Sequence, residues 1–349
     1  MSDSHCSYWR AVRGEEIPSP EWPSIIARAE KEGMIGYLAS RHPGIPDRNS
    51  RRHQSAAHNL AHVSLYRKVR AALDPLGIPW VVLKGIALGL SLYQDPVERS
   101  CGDLDVLVKP KDEEMAARAL SAAGFARTPH HRELYAGPEG NIDLHTAFLN
   151  VDRIRSRGRV LIDPPDWSER IRRVGAPPDD VPALHEEDLA RYLTVHLVHH
   201  HGCVGTKWLV DLAQLLRRRE DLAGVVRKSS RSGPVVQEIL DALIKPRGAR
   251  SEVKARESAP PAAIDRIVLR AAYEGSEIPG LRFILTLRDM PRAQDKAAFL
   301  KETLLPKRDV MVSAGYKSRR DPVVTHLKNL AATVSGLVGT YRRSGRSAL

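Results

Sequence analysis

Three aspartates interrupt two short apolar segments of this chain, where uncharged side chains would bury more easily. The first segment contains Asp103 and Asp105, and the second contains Asp143 and His145. Their aliphatic residues and short length predict β-strands over residues 102–108 and 141–145. Because side chains alternate along a strand, the two aspartates of the first strand share one face, and the aspartate and histidine of the second do likewise.

Like charges on one face of a strand repel each other, and a cation between them relieves that repulsion. Carboxylate oxygens, together with phosphate oxygens of a substrate, are typical ligands of Mg²⁺. The pattern therefore predicts a site for Mg²⁺ or Mn²⁺ with Asp103, Asp105 and Asp143 as ligands. The alternative is an exposed strand face with solvated aspartates, which would be the better interpretation of an isolated Asp-x-Asp.

A third segment, upstream of the aspartates, has the residues to hold phosphate. Residues 78–83 are apolar and partly β-branched, which predicts a strand ending at Lys84 and Gly85, and residues 86–93 have helical composition. A strand that enters a helix through glycine exposes backbone N–H groups, which bind anions. Lys84 adds a positive charge at this turn, and Arg99 adds another before the first aspartate strand. We therefore predict that Lys84, Gly85 and Arg99 bind phosphate.

His145 has two interpretations. On the same strand face as Asp143, it orients a carboxylate or contacts phosphate, and we include it among the nucleotide-binding residues. The alternative is a partly buried strand histidine without a role in chemistry.

These residues also resemble a known family. The resemblance is carried by Leu83–Leu88, Tyr93, Asp95, Arg99, Asp103–Val108 and Ile142–His145, and it continues through Glu187–Asp188, His196, Gly202 and Lys207–Leu212. The chain is similar, over roughly residues 60–310, to the uncharacterised bacterial nucleotidyltransferase family of the polymerase-beta-like superfamily. One feature departs from the wider superfamily, in which the first strand normally ends in Gly-Ser or Gly-Gly. Here Gly85 stands between Lys84 and Ile86.

The resemblance implies an α+β fold: a small polymerase-beta-like nucleotidyltransferase sheet with helices, flanked by N- and C-terminal helical regions. We expect a helical region over 1–75, the catalytic core over 76–150 and a mainly helical region over 151–349. Within the core, apolar spacing predicts a helix over 111–123, and residues 132–136 predict a further strand.

Together, the residues and the resemblance predict a metal-dependent nucleotidyltransferase. It would move a nucleoside monophosphate from a nucleoside triphosphate (NTP) to an acceptor hydroxyl or phosphate and release pyrophosphate. Asp103 and Asp105 would bind one ion and bridge a second, whose site Asp143 completes. The sequence does not select among ATP, CTP, GTP and UTP, and the acceptor stays open between a peptide, a sugar intermediate, a small molecule and a protein. Each Asp→Asn change is expected to abolish transfer without destabilising the metal-free protein.

The net charge of +12 raises the question of nucleic-acid binding. Residues 79–149 contain seven Lys/Arg against ten Asp/Glu, whereas residues 301–349 contain ten against three. The basic excess thus lies outside the predicted core, and aromatic residues, which stack on single strands, are only 5% of the chain. This distribution favours a solvated surface. Two alternatives remain: a nucleic-acid-acting transferase that uses the basic C-terminal region, and an inactive nucleotide- or partner-binding module.

Cysteine and histidine usage bears on location and on zinc. Three separated cysteines, the absence of a signal-peptide pattern and the lack of a membrane-length apolar run predict a cytoplasmic protein.

His196 and His200 are four residues apart, a spacing that can hold zinc on a helix. A metalloprotease would have Glu where Leu197 stands, so we expect these histidines to lie at a helix end, some lining the nucleotide cleft, without stoichiometric zinc.

Overall fold

A computed structural model describes residues 3–307 except 130, 150, 152–153, 162–165, 245–262 and 276, together with scattered residues between 310 and 335. The protein is mixed α+β, as predicted: helices surround a seven-stranded sheet in these residues. Most of the basic C-terminal region lies outside the described residues. No helix in the described part of the chain has the length and apolar character needed to cross a membrane.

The N-terminal region is helical, as predicted. It contains α1 (Asp3–Arg13), α2 (Trp22–Lys31), α3 (Ile35–Arg41) and the long α4 (Arg48–Leu73). In α2 the buried residues Trp22, Ile25, Ile26 and Ala29 are spaced three to four apart, which places them on one face. This apolar face packs the helix against the core.

The sheet is formed by seven strands of the described chain. They are β1 (Trp80–Val82), β2 (Leu104–Val108), β3 (Ala126–Thr128), β4 (His131–Gly137), β5 (Gly140–His145), β6 (Arg172–Val174) and β7 (Val181–Ala183), in the spatial order β3-β4-β5-β2-β1-β7-β6. Helices α5 (Ile86–Leu92) and α6 (Glu113–Ala122) belong to the same unit. The four strands and two helices predicted between residues 78 and 145 are all present, with ends that differ by a few residues.

Strands β3, β6 and β7 were not predicted. Strands β6 and β7 lie in the region expected to be mainly helical, yet β7 pairs in parallel with β1 and β6 pairs antiparallel with β7. Each has three residues, which is too short to show the alternation by which strands are identified in a sequence. The sheet therefore extends beyond residue 150, and the three-region division remains a prediction.

Helices dominate the remainder of the described chain. They are α7 (Glu186–His199), α8 (Thr206–Arg218), α9 (Ala223–Lys228), α10 (Gly233–Ile244), α11 (Ala263–Glu274), α12 (Leu281–Asp289) and α13 (Ala293–Leu304). A tight turn joins α7 to α8, and in it Gly202 and Cys203 both have positive φ angles, of 60° and 65°. The turn brings the end of α7 beside the first turn of α8, where several cavity-lining residues lie.

The sheet separates two hydrophobic cores. Leu104, Val106 and Val108 of β2 belong to one core, with residues of α4 and α6. Leu107 belongs to the other core, with residues of α1 to α3, α7 and α8. Because side chains alternate along a strand, Asp105 lies on the same face as Leu107. Asp105 therefore faces the side of the sheet that α1 to α3, α7 and α8 cover.

Candidate active site

Two of the predicted aspartates are direct neighbours. Strands β2 and β5 pair in parallel, with Asp105 opposite Asp143 and Leu107 opposite His145. Residues opposite each other in adjacent strands project on the same face of the sheet, so both carboxylates and the imidazole converge. The pleat that buries Leu104, Val106, Ile142 and Leu144 on the other face fixes this arrangement.

Asp105 lies at the centre of the cluster and is only 7% exposed. Its Oδ1 atom is 2.8 Å from the Lys84 ammonium and 3.1 Å from His145 Nε2. Burial acts to raise the pKa of Asp105, but the positive charge of Lys84 and the hydrogen bond from His145 together hold this pKa well below its ordinary value. The carboxylate is therefore ionised across the physiological pH range.

His145 joins the two aspartates, since its Nε2 atom also lies 3.3 Å from Asp143 Oδ2. Burial acts to lower the pKa of His145, but the charges of Asp143 and Asp105 outweigh burial and raise it to about 10. The imidazole is therefore protonated at neutral pH. His145 is a buried strand histidine that contacts both carboxylates, and its role in nucleotide binding remains a prediction.

The cluster has the properties of a metal centre. Ligand atoms of Asp105, Asp143 and His145 all lie within 4.8 Å of one another. Asp143 Oδ1 is buried and has no hydrogen-bond partner among the described residues. A buried carboxylate oxygen without a partner is costly, and a divalent cation would satisfy it. Because His145 is protonated, the donors are the two carboxylates, and these fit a hard divalent cation.

Asp103 differs from the other two aspartates. It lies one residue before β2, is exposed, and stands outside the three-residue group. Asn141 Nδ2 lies at hydrogen-bonding distance from its Oδ1, 3.4 Å away. Asp103 nevertheless lines the same cavity as Asp105 and Asp143. Its role as a metal ligand remains a prediction.

The predicted Lys-Gly turn lies next to the cluster. Strand β1 pairs antiparallel with β2, and the Leu83 N–H donates to the Asp105 carbonyl at 3.0 Å, which continues the pairing up to the turn. Gly85 has φ +58° and ψ −117°, a conformation that L-residues strongly avoid. The turn directs Lys84 onto Asp105, so the lysine predicted to bind phosphate also has a carboxylate partner.

Arg99 lies in the cavity wall but is held by another residue. Its Nε and Nη2 atoms donate to the two oxygens of Asp211 on α8, at 2.7 and 2.9 Å. The Tyr93 hydroxyl donates to the same carboxylate at 2.6 Å. Arg99 is 2% exposed and Asp211 is fully buried. The pair fixes α8 to the loop before β2, and the predicted contact of Arg99 with phosphate remains untested.

The structure brings all seven predicted residues to one cavity of about 270 Å³. Its lining consists of Lys84, Gly85, Arg99, Gly102, Asp103, Asp105, Asp143, His145, Phe148, His196, His200, His201, Lys207 and Trp208. Two larger cavities adjoin it. The cavity of about 590 Å³ shares Phe148 with it, and the cavity of about 980 Å³ shares Lys207 and Trp208. Sequence reasoning gave no role to Lys207 or Phe148. The only signal for Lys207 was its place in the resemblance.

The histidines at the end of α7 form an aromatic wall. His196 stacks on His200 at 4.9 Å between ring centroids, and His201 stacks on Trp208 at the same distance. Burial is the main cause that lowers the pKa of His200 to about 2 and of His201 to about 3, so both rings are neutral. His196 Nε2 lies 3.1 Å from His201 Nε2, but among the described residues no group of three metal-binding side chains includes either. The expectation about zinc remains a prediction.

The sheet holds the buried Asp105 and the partly buried Asp143 on adjacent strands, beside a lysine and a glycine turn, and this set of groups fits a divalent cation next to an anion. A model of the family described as uncharacterised nucleotidyltransferase matches residues 18–234, more than half of the chain. The chain therefore belongs to this family, which confirms the resemblance and supports nucleotidyl transfer as its general activity. No curated protein and no solved structure matches the chain.

Proposed function

We propose that the protein transfers a nucleoside monophosphate from an NTP to an acceptor hydroxyl or phosphate, with release of pyrophosphate and dependence on Mg²⁺ or Mn²⁺. The observation that carries this proposal is the pairing of Asp105 opposite Asp143, with the buried Asp143 Oδ1 lacking a partner among the described residues. The family match supports it. Phosphoryl and nucleotidyl transfer depend mostly on positioning and charge neutralisation, which this cavity provides.

Asp105 and Asp143 would hold the metal, with Asp103 as a further oxygen donor at the exposed side of the cavity. A divalent ion there would neutralise charge on the transferred phosphate and on the leaving pyrophosphate. Besides holding the metal, Asp143 would assist deprotonation of the acceptor. His145 keeps both carboxylates in position through its protonated ring.

The remaining predicted residues would serve the phosphates. Lys84 lies on the floor of the cavity, and its flexible side chain can turn its ammonium from Asp105 toward a phosphate oxygen. Gly85 has no side chain of its own to obstruct a phosphate at this turn. Arg99 contributes positive charge at the wall while its hydrogen bonds keep α8 in place.

One observation favours a second candidate, a nucleotide-binding module without catalysis. Asp103, the first residue of the Asp-x-Asp pair, is exposed and lies outside the cluster, so the cluster contains two carboxylates where the sequence predicted three metal ligands. The acceptor, the preferred base and the predicted cytoplasmic location are open in both cases.

The test is incubation of the full chain with each NTP, labelled at the α-phosphate, and Mg²⁺ or Mn²⁺, together with candidate acceptors and with the protein alone. Pyrophosphate release and transfer of the label to an acceptor or to the protein itself are the expected results, and mass spectrometry would locate self-modification. Nucleotide binding without pyrophosphate release under all of these conditions would favour the binding module.

A further inference from the structure

Lys207 is the cavity-lining cation for which sequence reasoning found no role. It lies in the first turn of α8 and lines both the catalytic cavity and the adjoining cleft of about 980 Å³. Its ammonium is 4.8 Å from the centroid of the Trp208 ring. Lys207 therefore stands where the two spaces meet.

Three cations converge on this one indole. The Lys84 ammonium and the Arg99 guanidinium lie 5.3 and 5.2 Å from the Trp208 centroid. Lys84 is paired with Asp105, and Arg99 is paired with Asp211. In the portion of the chain that the structure describes, Lys207 makes neither an ion pair nor a hydrogen bond. Lys207 thus shares the negative charge of Asp211 with Arg99 and has no carboxylate of its own at ion-pair distance among the described residues.

The surroundings of Lys207 make its charged form less favourable than it would be in water. Burial, followed by the positive charge of Arg99, lowers the pKa of Lys207 to about 8. Gly33 borders it closely, since a Cβ atom on Gly33 would lie 3.3 Å from Lys207 Nζ and 2.6 Å from Ser100 Oγ. An anion bound between the two spaces would favour the charged form, because it would supply a nearby counter-charge.

We propose that Lys207 binds the β- and γ-phosphates of the nucleotide, in a polyphosphate subsite that leads from the carboxylate cluster toward the adjoining cleft. The inference rests on the proposed function. The α-phosphate must lie near the carboxylates and Lys84, so the phosphates beyond it need a further cation that is free to bind them. Arg99 is then a positioning residue. Through Asp211, one helical turn after Lys207, it fixes the helix that presents the lysine.

The test compares Lys207→Met, which removes the charge, with Lys207→Arg, which keeps it. Lys31→Met is the matched control, because Lys31 is an exposed lysine that lines the same cleft. Titration calorimetry with Mg²⁺ would measure the Kd of a non-hydrolysable NTP analogue and of the corresponding monophosphate. We expect Lys207→Met to raise the Kd of the triphosphate about tenfold or more and that of the monophosphate less than twofold. Lys207→Arg and Lys31→Met should remain close to the wild type.

Thermal unfolding of each variant would check the fold, and Lys207→Gln would replace the methionine variant if that protein were unstable. Wild-type Kd for the triphosphate in a folded Lys207→Met protein would overturn the inference and leave the proposed function intact. An equal loss of both ligands would also overturn it, since that result indicates a structural role. If the wild type bound neither ligand with Mg²⁺ or Mn²⁺, the proposed function itself would fail.

Discussion

The buried pair of Arg99 and Asp211 gives the sharpest prediction about stability. Asp211→Asn removes the negative charge that balances a guanidinium only 2% exposed. It weakens contacts of 2.7 and 2.9 Å to Arg99 and one of 2.6 Å from the Tyr93 hydroxyl. Because the charge of Arg99 would remain buried without compensation, we expect the free energy of unfolding to fall by about 3–5 kcal/mol.

Denaturation in urea without metal would measure this loss as a lower midpoint at an unchanged slope. Asp221→Asn is the control, because Asp221 forms an exposed pair with Arg219 that should be worth less than about 1 kcal/mol. The double variant Arg99→Met/Asp211→Leu replaces both charges with apolar groups and should recover most of the loss. A loss below about 1 kcal/mol for Asp211→Asn would refute the reasoning, as would a double variant no more stable than the single one.

The remaining predictions concern the cavity itself. Asp105→Asn should lower the free energy of unfolding of the metal-free protein by about 3–5 kcal/mol, because Lys84 loses its counter-charge and His145 keeps only that of Asp143. The exposed Asp103→Asn should change this free energy by less than about 0.5 kcal/mol in the same urea titration. Gly85→Ala should lower the free energy of unfolding by about 1–3 kcal/mol, because a Cβ atom has space there, 3.5 Å from Cys101 Sγ, but the positive φ angle is strained for alanine. Gly102→Ala is the control, and equal urea midpoints for the two variants would contradict this explanation. The affinity of the wild type for the triphosphate should fall as the pH rises from about 7.5 to 9, because Lys207, whose pKa is lowered to about 8 by burial and by Arg99, loses its proton. Calorimetry should show no such fall for Lys207→Arg, and the same pH dependence in both proteins would count against the subsite.

The local geometry of the site followed from the sequence, but its pairings did not. Alternation along a strand correctly placed Asp105 and His145 on the face opposite Leu104 and Leu144. The parallel register that sets Asp105 against Asp143 depends on which strands become neighbours, and β2 and β5 are separated in the chain by α6, β3 and β4. No pattern within either strand contains that information.

Long-range partners changed the roles that the sequence suggested. Arginine is a common phosphate ligand, and the sequence suggested that role for Arg99. Its partner Asp211 is 112 positions away in the chain, and only the packing of α8 brings the two together. The expectation that removing a carboxylate would leave the metal-free protein unharmed assumed repulsion between aspartates. It did not foresee that Lys84 and His145 both approach Asp105 and neutralise it.

The most direct test of the central claim is the rate of pyrophosphate release from the NTP preferred by the wild type, measured after chelation and after return of Mg²⁺ or Mn²⁺. The account predicts that release requires the metal and that it is lost in Asp105→Asn and in Asp143→Asn, while Asp221→Asn behaves as the wild type. Folded Asp143→Asn protein that releases pyrophosphate at the wild-type rate would contradict it.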